Sequence, residues 1–189
     1  MRRSANQTRE HVLAVAHELF YWRGIKNTGV DAVAAAAGVA PTTLYRLFAS
    51  KDDLVAAYVE RAGERYRQWF LDATAGAGPA EAIRSLFAAL ADQVRPDRCR
   101  GCPFLMAMAE LPDASARAHA LAIGTKAWVR ERIGELTAGL RVADPGTLAD
   151  QLVLVMEGVY ASAPALGADG PARQARGLVE ALLTTAVSA

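Results

Sequence analysis

Apolar residues recur at three- and four-residue steps along almost the whole chain, interrupted by glycine and proline. Val12, Ala16, Leu19 and Phe20 share one face of a helix predicted over about 4–23, which Gly24 ends. Thr28-Gly29-Val30-Asp31 has the spacing of a capping box and predicts a short helix through Ala37, closed by Gly38. Pro41 suits a first helical position, where its missing N–H costs nothing, and opens another short helix to about Phe48. Ser50 caps a long fourth helix in which Val55, Tyr58, Ala62, Tyr66, Trp69 and Ala73 keep helical step as far as Ala75-Gly76-Ala77-Gly78-Pro79. Further helices are predicted near 79–95, 103–111, 114–141, 145–165 and 171–187, separated by Pro96, Pro112, Asp144-Pro145 and the stretch from Gly167 to Pro171. No alternating β-branched run competes with them, so the fold class is all-α with about nine helices.

With 189 residues, 52% of them hydrophobic, the chain can bury a sizeable core. The opening MRRSANQTRE carries arginines with no apolar run behind it, and no later stretch reaches about 18 uninterrupted apolar residues, so a cytoplasmic protein is expected. The formal net charge of +1 hides an asymmetry. Residues 1–51 hold seven lysines and arginines against three acids, a net +4, and the remainder is net −3. A basic first quarter on an acidic body points one end of the molecule at a polyanion.

The stretch GVAPTTLYRLFASKDDL, residues 38–54, gives that polyanion a reader. Two short helices joined at Gly38 fit a helix-turn-helix, whose second helix enters a major groove. Thr42 and Thr43 have the size and polarity to meet base edges or thymine methyls at its N-terminal end. Tyr45, Arg46 and Lys51 add a hydroxyl and two cations for phosphate, and the helix N-termini at Thr28 and Ser50 offer N–H groups to phosphate oxygens. Leu44, Leu47 and Phe48 would hold the helix onto its neighbours. The bland alternative is a tight helical corner whose aromatics only fill a core.

The run from Thr8 to Leu54 resembles the N-terminal domain of the tetracycline-repressor (TetR/AcrR) family along its whole length. Gly24, the threonine-capped short helix, Ala37-Gly38-Val39, Leu44-Tyr45, Phe48 and Ser50-Lys51 followed by an acid and Leu54 occur in that family's order and spacing. Two positions depart from it: Ala40 stands where members commonly carry serine or threonine, and Leu47 where histidine or tyrosine is common. The resemblance implies an N-terminal three-helix DNA-binding domain, 1–50, and a C-terminal ligand-binding and dimerisation domain, 51–189. It further implies a transcriptional regulator, a repressor in the reading favoured here, that binds a palindromic operator in double-stranded DNA as a homodimer and is released by a small-molecule effector.

The C-terminal residues have features of their own. The last helix carries an apolar stripe through Leu178, Val179, Leu182 and Leu183, and the helix before it, with Leu148, Leu152, Met156 and Val159, is apolar most of the way round. A helix of that kind needs two buried faces, and a second copy can supply one, which places Leu152, Val159, Leu178 and Leu182 at a two-fold interface; the alternative is that both faces bury inside a single chain. Trp69, Phe70, Phe87, Phe104, Met108, Trp128, Met156 and Tyr160 suit a deformable cavity for a small apolar or amphipathic effector, although each could equally be core. Glu110 and Glu157, flanked by apolar residues, are candidate buried acids for such a cavity, the alternatives being a helix cap or a place facing water.

Cys99 and Cys102 form a C-x-x-C whose first cysteine stands between Arg98 and Arg100, and neighbouring cations depress a thiol's pKa. A thiol redox protein, or a redox-sensing regulator using this pair, is therefore the alternative. His11, His17 and His119 are scattered and no second cysteine pair follows, so no metal site is expected. Nor does the sequence offer a cofactor loop or a catalytic acid-base set.

Overall fold

The computed structural model describes residues 4–95, 99–167 and 169–188. The break expected at Pro96, and Arg2, Arg3 and Arg98, lie outside the described residues. The described residues form nine α-helices and one short 3-10 turn joined by turns and loops, with no strand among them. They are α1 (Ala5–Arg23), α2 (Val30–Ala37), α3 (Pro41–Leu47), α4 (Lys51–Thr74), α5 (Pro79–Gln93), α6 (Pro103–Glu110), α7 (Arg117–Ala138), α8 (Pro145–Leu166) and α9 (Ala175–Ser188).

Local chemistry explains most of the boundaries. Ser4 caps α1 with a reciprocal box: its Oγ accepts the Gln7 N–H, and the Gln7 side chain accepts the Ser4 N–H. Pro41 begins α3 with no side-chain cap, as Ala40 at the preceding position dictates. Ser50 Oγ accepts the Asp53 N–H at 3.0 Å and starts α4. Three expectations need correction. The cap of α2 is Gly29 rather than Thr28, because the Thr28 hydroxyl turns back to the Gly24 carbonyl instead of forward to a helix N–H. The helix expected from 114 begins at Arg117, since Asp113 Oδ1 takes the Ser115 N–H and hydroxyl and folds the chain into a turn first. The last helix is preceded by a separate 3-10 turn, Pro171–Gln174, where a continuous helix was expected from 171.

The chain packs as two compact units. The first comprises residues 1–64 and 103–123. Its core joins Val12, Leu13, Ala16 and Phe20 of α1 to Val33 and Ala37 of α2, Leu44 of α3, and Leu54, Val55 and Tyr58 of α4, all buried. The Phe20 and Tyr58 rings meet edge to face at 5.5 Å. His11 Nε2 donates to the Ala37 carbonyl at 3.0 Å, satisfying an orphan acceptor at the end of α2. The Arg9 guanidinium lies 5.1 Å from the centre of the Phe48 ring.

The second unit comprises residues 65–102 and 124–189. Here α5, α8 and α9 pack together around Ile83, Leu86 and Leu90, Leu148, Leu152, Met156 and Val159, and Val179 and Leu183. The buried Thr137 hydroxyl, at 3.0 Å from the Gly134 carbonyl and 2.8 Å from the Pro145 carbonyl, ties the end of α7 to the start of α8.

Candidate nucleic-acid interface and effector region

In the first unit, α2 and α3 pack against each other across Gly38, whose φ of 65° is the left-handed conformation glycine takes without penalty. Leu44 and Phe48 are buried and fasten α3 from below. That leaves the other face of α3 outward: Thr42, Tyr45 and Arg46 are exposed, Tyr45 at 51%, with Thr43 half-buried beside them. Lys51, half-buried, follows in the first turn of α4, where the exposed Asp52 and Asp53 also lie. The short helix α3, anchored from below, thus carries two hydroxyls, a phenol and one cation, and α4 adds a second cation in its first turn.

Thr28 is placed differently from these. Its side chain is only 2% exposed, its hydroxyl donates to the Gly24 carbonyl at 2.8 Å, and its N–H donates to the Ile25 carbonyl. What Thr28 contributes is the geometry of the α1–α2 turn.

The second unit gathers six of the eight aromatic and methionine positions expected near an effector: Trp69, Phe70, Phe87, Trp128, Met156 and Tyr160. The Tyr66 ring lies 5.1 Å from Trp69 and 6.4 Å from Tyr160, and Phe70 meets Trp128 edge to face at 5.3 Å. The Tyr66 hydroxyl donates to the Met156 sulfur at 3.2 Å, and the Tyr160 hydroxyl donates to Gln93 Oε1 at 2.8 Å. Burial drives the Tyr66 phenol well above its ordinary pKa, with the Tyr160 hydroxyl pulling partly the other way. Burial raises Tyr160 too, and Tyr66 beside it adds to the shift. Trp69 also lines an open hollow of about 460 Å³ with Arg65, Gln68, Asp72 and Ala73. Phe87 faces a groove between α5 and α9 of about 320 Å³, bordered by Arg84, Arg176 and Glu180. The remaining two expected positions, Phe104 and Met108 of α6, belong to the first unit, where Phe104 is buried.

Of the two candidate acids, Glu157 belongs to the second unit. It forms an ion pair with Lys126, whose ammonium also lies 3.8 Å from Cys102 Sγ. Cys99 and Cys102 are both buried and no disulfide joins them. Glu110 lies instead in the first unit, where its carboxylate accepts the Lys26 N–H at 2.8 Å. Sequence reading named neither Tyr66, Gln93 nor Lys126 as site residues, because their partners lie 90, 67 and 24 residues away along the chain and no spacing rule connects them.

The proposed interface residues divide. Leu152 and Val159 are buried within a single chain and belong to its own core, since α8 turns this face toward α5 and α9. On the outside are Leu154, 70% exposed, and Leu178, 49% exposed, while Leu182 lines a groove of about 300 Å³ between α8 and α9. Among the described residues, no group of three acidic, histidine or cysteine side chains is placed to hold a metal ion, and no helix is long and apolar enough to cross a membrane.

The comparisons with known proteins agree with this geometry. The model of the family "Bacterial regulatory proteins, tetR family" matches residues 12–58. The HTH-type transcriptional regulator YjdC of Escherichia coli K12 is 30% identical over 154 residues, covering 79% of this chain and 80% of that protein. Among solved structures, SCO4454, a TetR-family transcriptional regulator from Streptomyces coelicolor, superposes with a TM-score of 0.91 at 29% identity over 95% of this chain and 96% of that one. The putative TetR-type regulator sav143 of Streptomyces avermitilis gives a TM-score of 0.83 at 32% identity over 95% and 97%. With its helix-turn-helix in place, matched by the family model and by relatives along most of its length, the chain belongs to the TetR family of DNA-binding transcriptional regulators.

Proposed function

We propose that this protein is a cytoplasmic, ligand-responsive repressor that binds a palindromic operator as a homodimer and leaves it when a small apolar or amphipathic molecule occupies the C-terminal domain. In this reading the DNA-binding domain, residues 1–50, carries the DNA contacts together with Lys51 just beyond it, and the rest of 51–189 serves effector binding and dimerisation. The observation that carries it is α3, anchored from below by Leu44 and Phe48 with Thr42, Tyr45 and Arg46 outward. Thr42 and Thr43 read bases, while Tyr45, Arg46 and Lys51 hold phosphate. Thr28 supports them from beneath by fixing the turn ahead of α2. The aromatic group around Tyr66, Trp69, Phe70 and Trp128, with Met156, supports an effector site in the second unit, and the ion pair of Lys126 and Glu157 gives that site polar groups.

Selection from a random duplex pool tests the reading directly. It expects enrichment of an inverted repeat whose half-sites sit about one helical turn apart, ~34 Å between centres, and a shifted band containing two chains per duplex. Enrichment of no sequence, or binding by single chains to unpaired half-sites, refutes it. The alternative, a redox-sensing regulator, draws support from the Lys126 ammonium, which lies 3.8 Å from Cys102 Sγ. Alkylation of the folded protein by iodoacetamide at Cys102, with loss of DNA binding, is its expected signature.

A further inference from the structure

Glu110 is the last residue of α6, yet its carboxylate reaches the turn that joins α1 to α2, accepting the Lys26 N–H at 2.8 Å across 84 residues of sequence. The turn is built to receive it. Gly24 closes α1 at φ 93°, and a Cβ there would stand 3.3 Å from both carboxylate oxygens. The glycine therefore serves both the backbone conformation and the seat for the acid.

Helix electrostatics do not account for an acid here. The carboxylate stands at the C-terminal end of its own helix and beside the C-terminal end of α1, and both ends carry partial negative charge that repels it. What holds it is the hydrogen bond that it accepts from the Lys26 backbone N–H. Around that bond the turn is tied at each step. The Gly24 N–H donates to the Phe20 carbonyl, the Thr28 N–H to the Ile25 carbonyl, and the Thr28 hydroxyl to the Gly24 carbonyl. The turn sets where α2 leaves α1, and α2 carries α3 across Gly38.

We propose that Glu110 is a positioning residue for DNA reading: from α6 it fixes the α1–α2 turn through the Lys26 N–H, and so the seat of the recognition helix. The segment 103–123 thereby completes the DNA-reading unit, although it lies far downstream of the helix-turn-helix in sequence. The inference rests on the DNA-binding reading above, and its test separates the two.

Full-length Glu110→Ala, Glu110→Gln and Glu110→Asp are compared with wild type on the duplex that wild type selects from a random pool. Glutamine keeps an acceptor and loses the charge. Aspartate keeps the charge but is one methylene short, and alanine loses both. Amide hydrogen exchange at Lys26 reports the tie without DNA, and protection should fall by about tenfold in the alanine and aspartate variants while glutamine keeps most of it. Operator affinity should follow the same order, about tenfold weaker for alanine and aspartate than for glutamine, which corresponds to about 1.4 kcal/mol. The salt slope should stay at the wild-type value, because no phosphate contact is lost. Unchanged Lys26 protection in the aspartate variant overturns the tie. Loss of protection with affinity equal to that of the glutamine variant overturns the positioning role, and a wild-type chain that selects no sequence overturns the DNA reading itself and this role with it.

Discussion

The Thr28 hydroxyl donates to the Gly24 carbonyl at 2.8 Å, a hydrogen bond closed over by the first unit with Thr28 only 2% exposed. Thr28→Val keeps the shape and removes the donor, leaving a buried carbonyl at the end of α1 without this partner. The loss should be about 1–3 kcal/mol of stability in urea denaturation, the usual cost of an unsatisfied buried group. Base preference at the operator should stay as it is, because Thr28 acts through the turn. A change in the selected sequence with no loss of stability would contradict that assignment.

Lys51 and Thr43 should fail in different ways. If Lys51 neutralises a phosphate, Lys51→Ala weakens binding to every duplex alike and reduces the slope of log affinity against log salt by about one. If Thr43 faces a base, Thr43→Ala leaves that slope alone and relaxes preference at one position of each half-site. Fluorescence anisotropy across a salt series with matched and mismatched duplexes reads both. Two variants with the same slope and the same loss of discrimination would dissolve the division of labour.

Tyr66 and Tyr160 make stability sensitive to alkali. Burial holds both phenols above the ordinary value of about 10 that they regain in the unfolded chain. Below about pH 10 neither form releases these protons, and the contribution is complete. As pH rises further the unfolded chain loses protons that the folded chain retains, so stability falls. Urea midpoints measured from about pH 9 to 11 should decline less steeply for Tyr66→Phe and Tyr160→Phe than for wild type. Absorbance near 295 nm should show these phenols ionising only together with unfolding. Steeper decline in either variant would mean that the buried phenols are not the source.

What the sequence reveals, and where it stops, can be followed residue by residue. Pro41 and Ser50 act on their nearest backbone groups, so the starts of α3 and α4 are readable locally. Thr28 has the composition and spacing of a cap, but its hydroxyl has a backward acceptor at Gly24 as well as a forward donor, and only packing decides between them. Glu110 and Glu157 have the same apolar flanks in sequence and opposite surroundings in space. One finds a backbone N–H in the first unit and the other an ammonium in the second. For α8 the limit is one of phase: a helix apolar on nearly every side gives no angular signal, so Leu152 and Leu154 look alike until the positions of α5 and α9 are known.

That difference in phase yields a prediction about assembly. Leu152 and Val159 are buried without any second chain, so truncating them acts on folding: Leu152→Ala should cost about 2–5 kcal/mol through lost burial and the cavity left behind. Leu154 and Leu178, at 70% and 49% exposure, stand where a solvated leucine gains nothing, and a partner's matching surface would bury them. Leu182, at the groove between α8 and α9, can contribute to the same contact. A two-fold interface presents each such residue twice, so one charge per chain is met by its symmetry mate or by apolar surface in the dimer. Leu154→Glu and Leu178→Glu should therefore give folded monomers with near-normal melting at high protein concentration corrected for dissociation, and weak operator binding, since one chain reaches only one half-site. Sedimentation equilibrium distinguishes the outcomes. Dimers that persist in both glutamate variants would place the interface elsewhere on the chain, and a monomer that still holds the full operator tightly would remove the need for a pair.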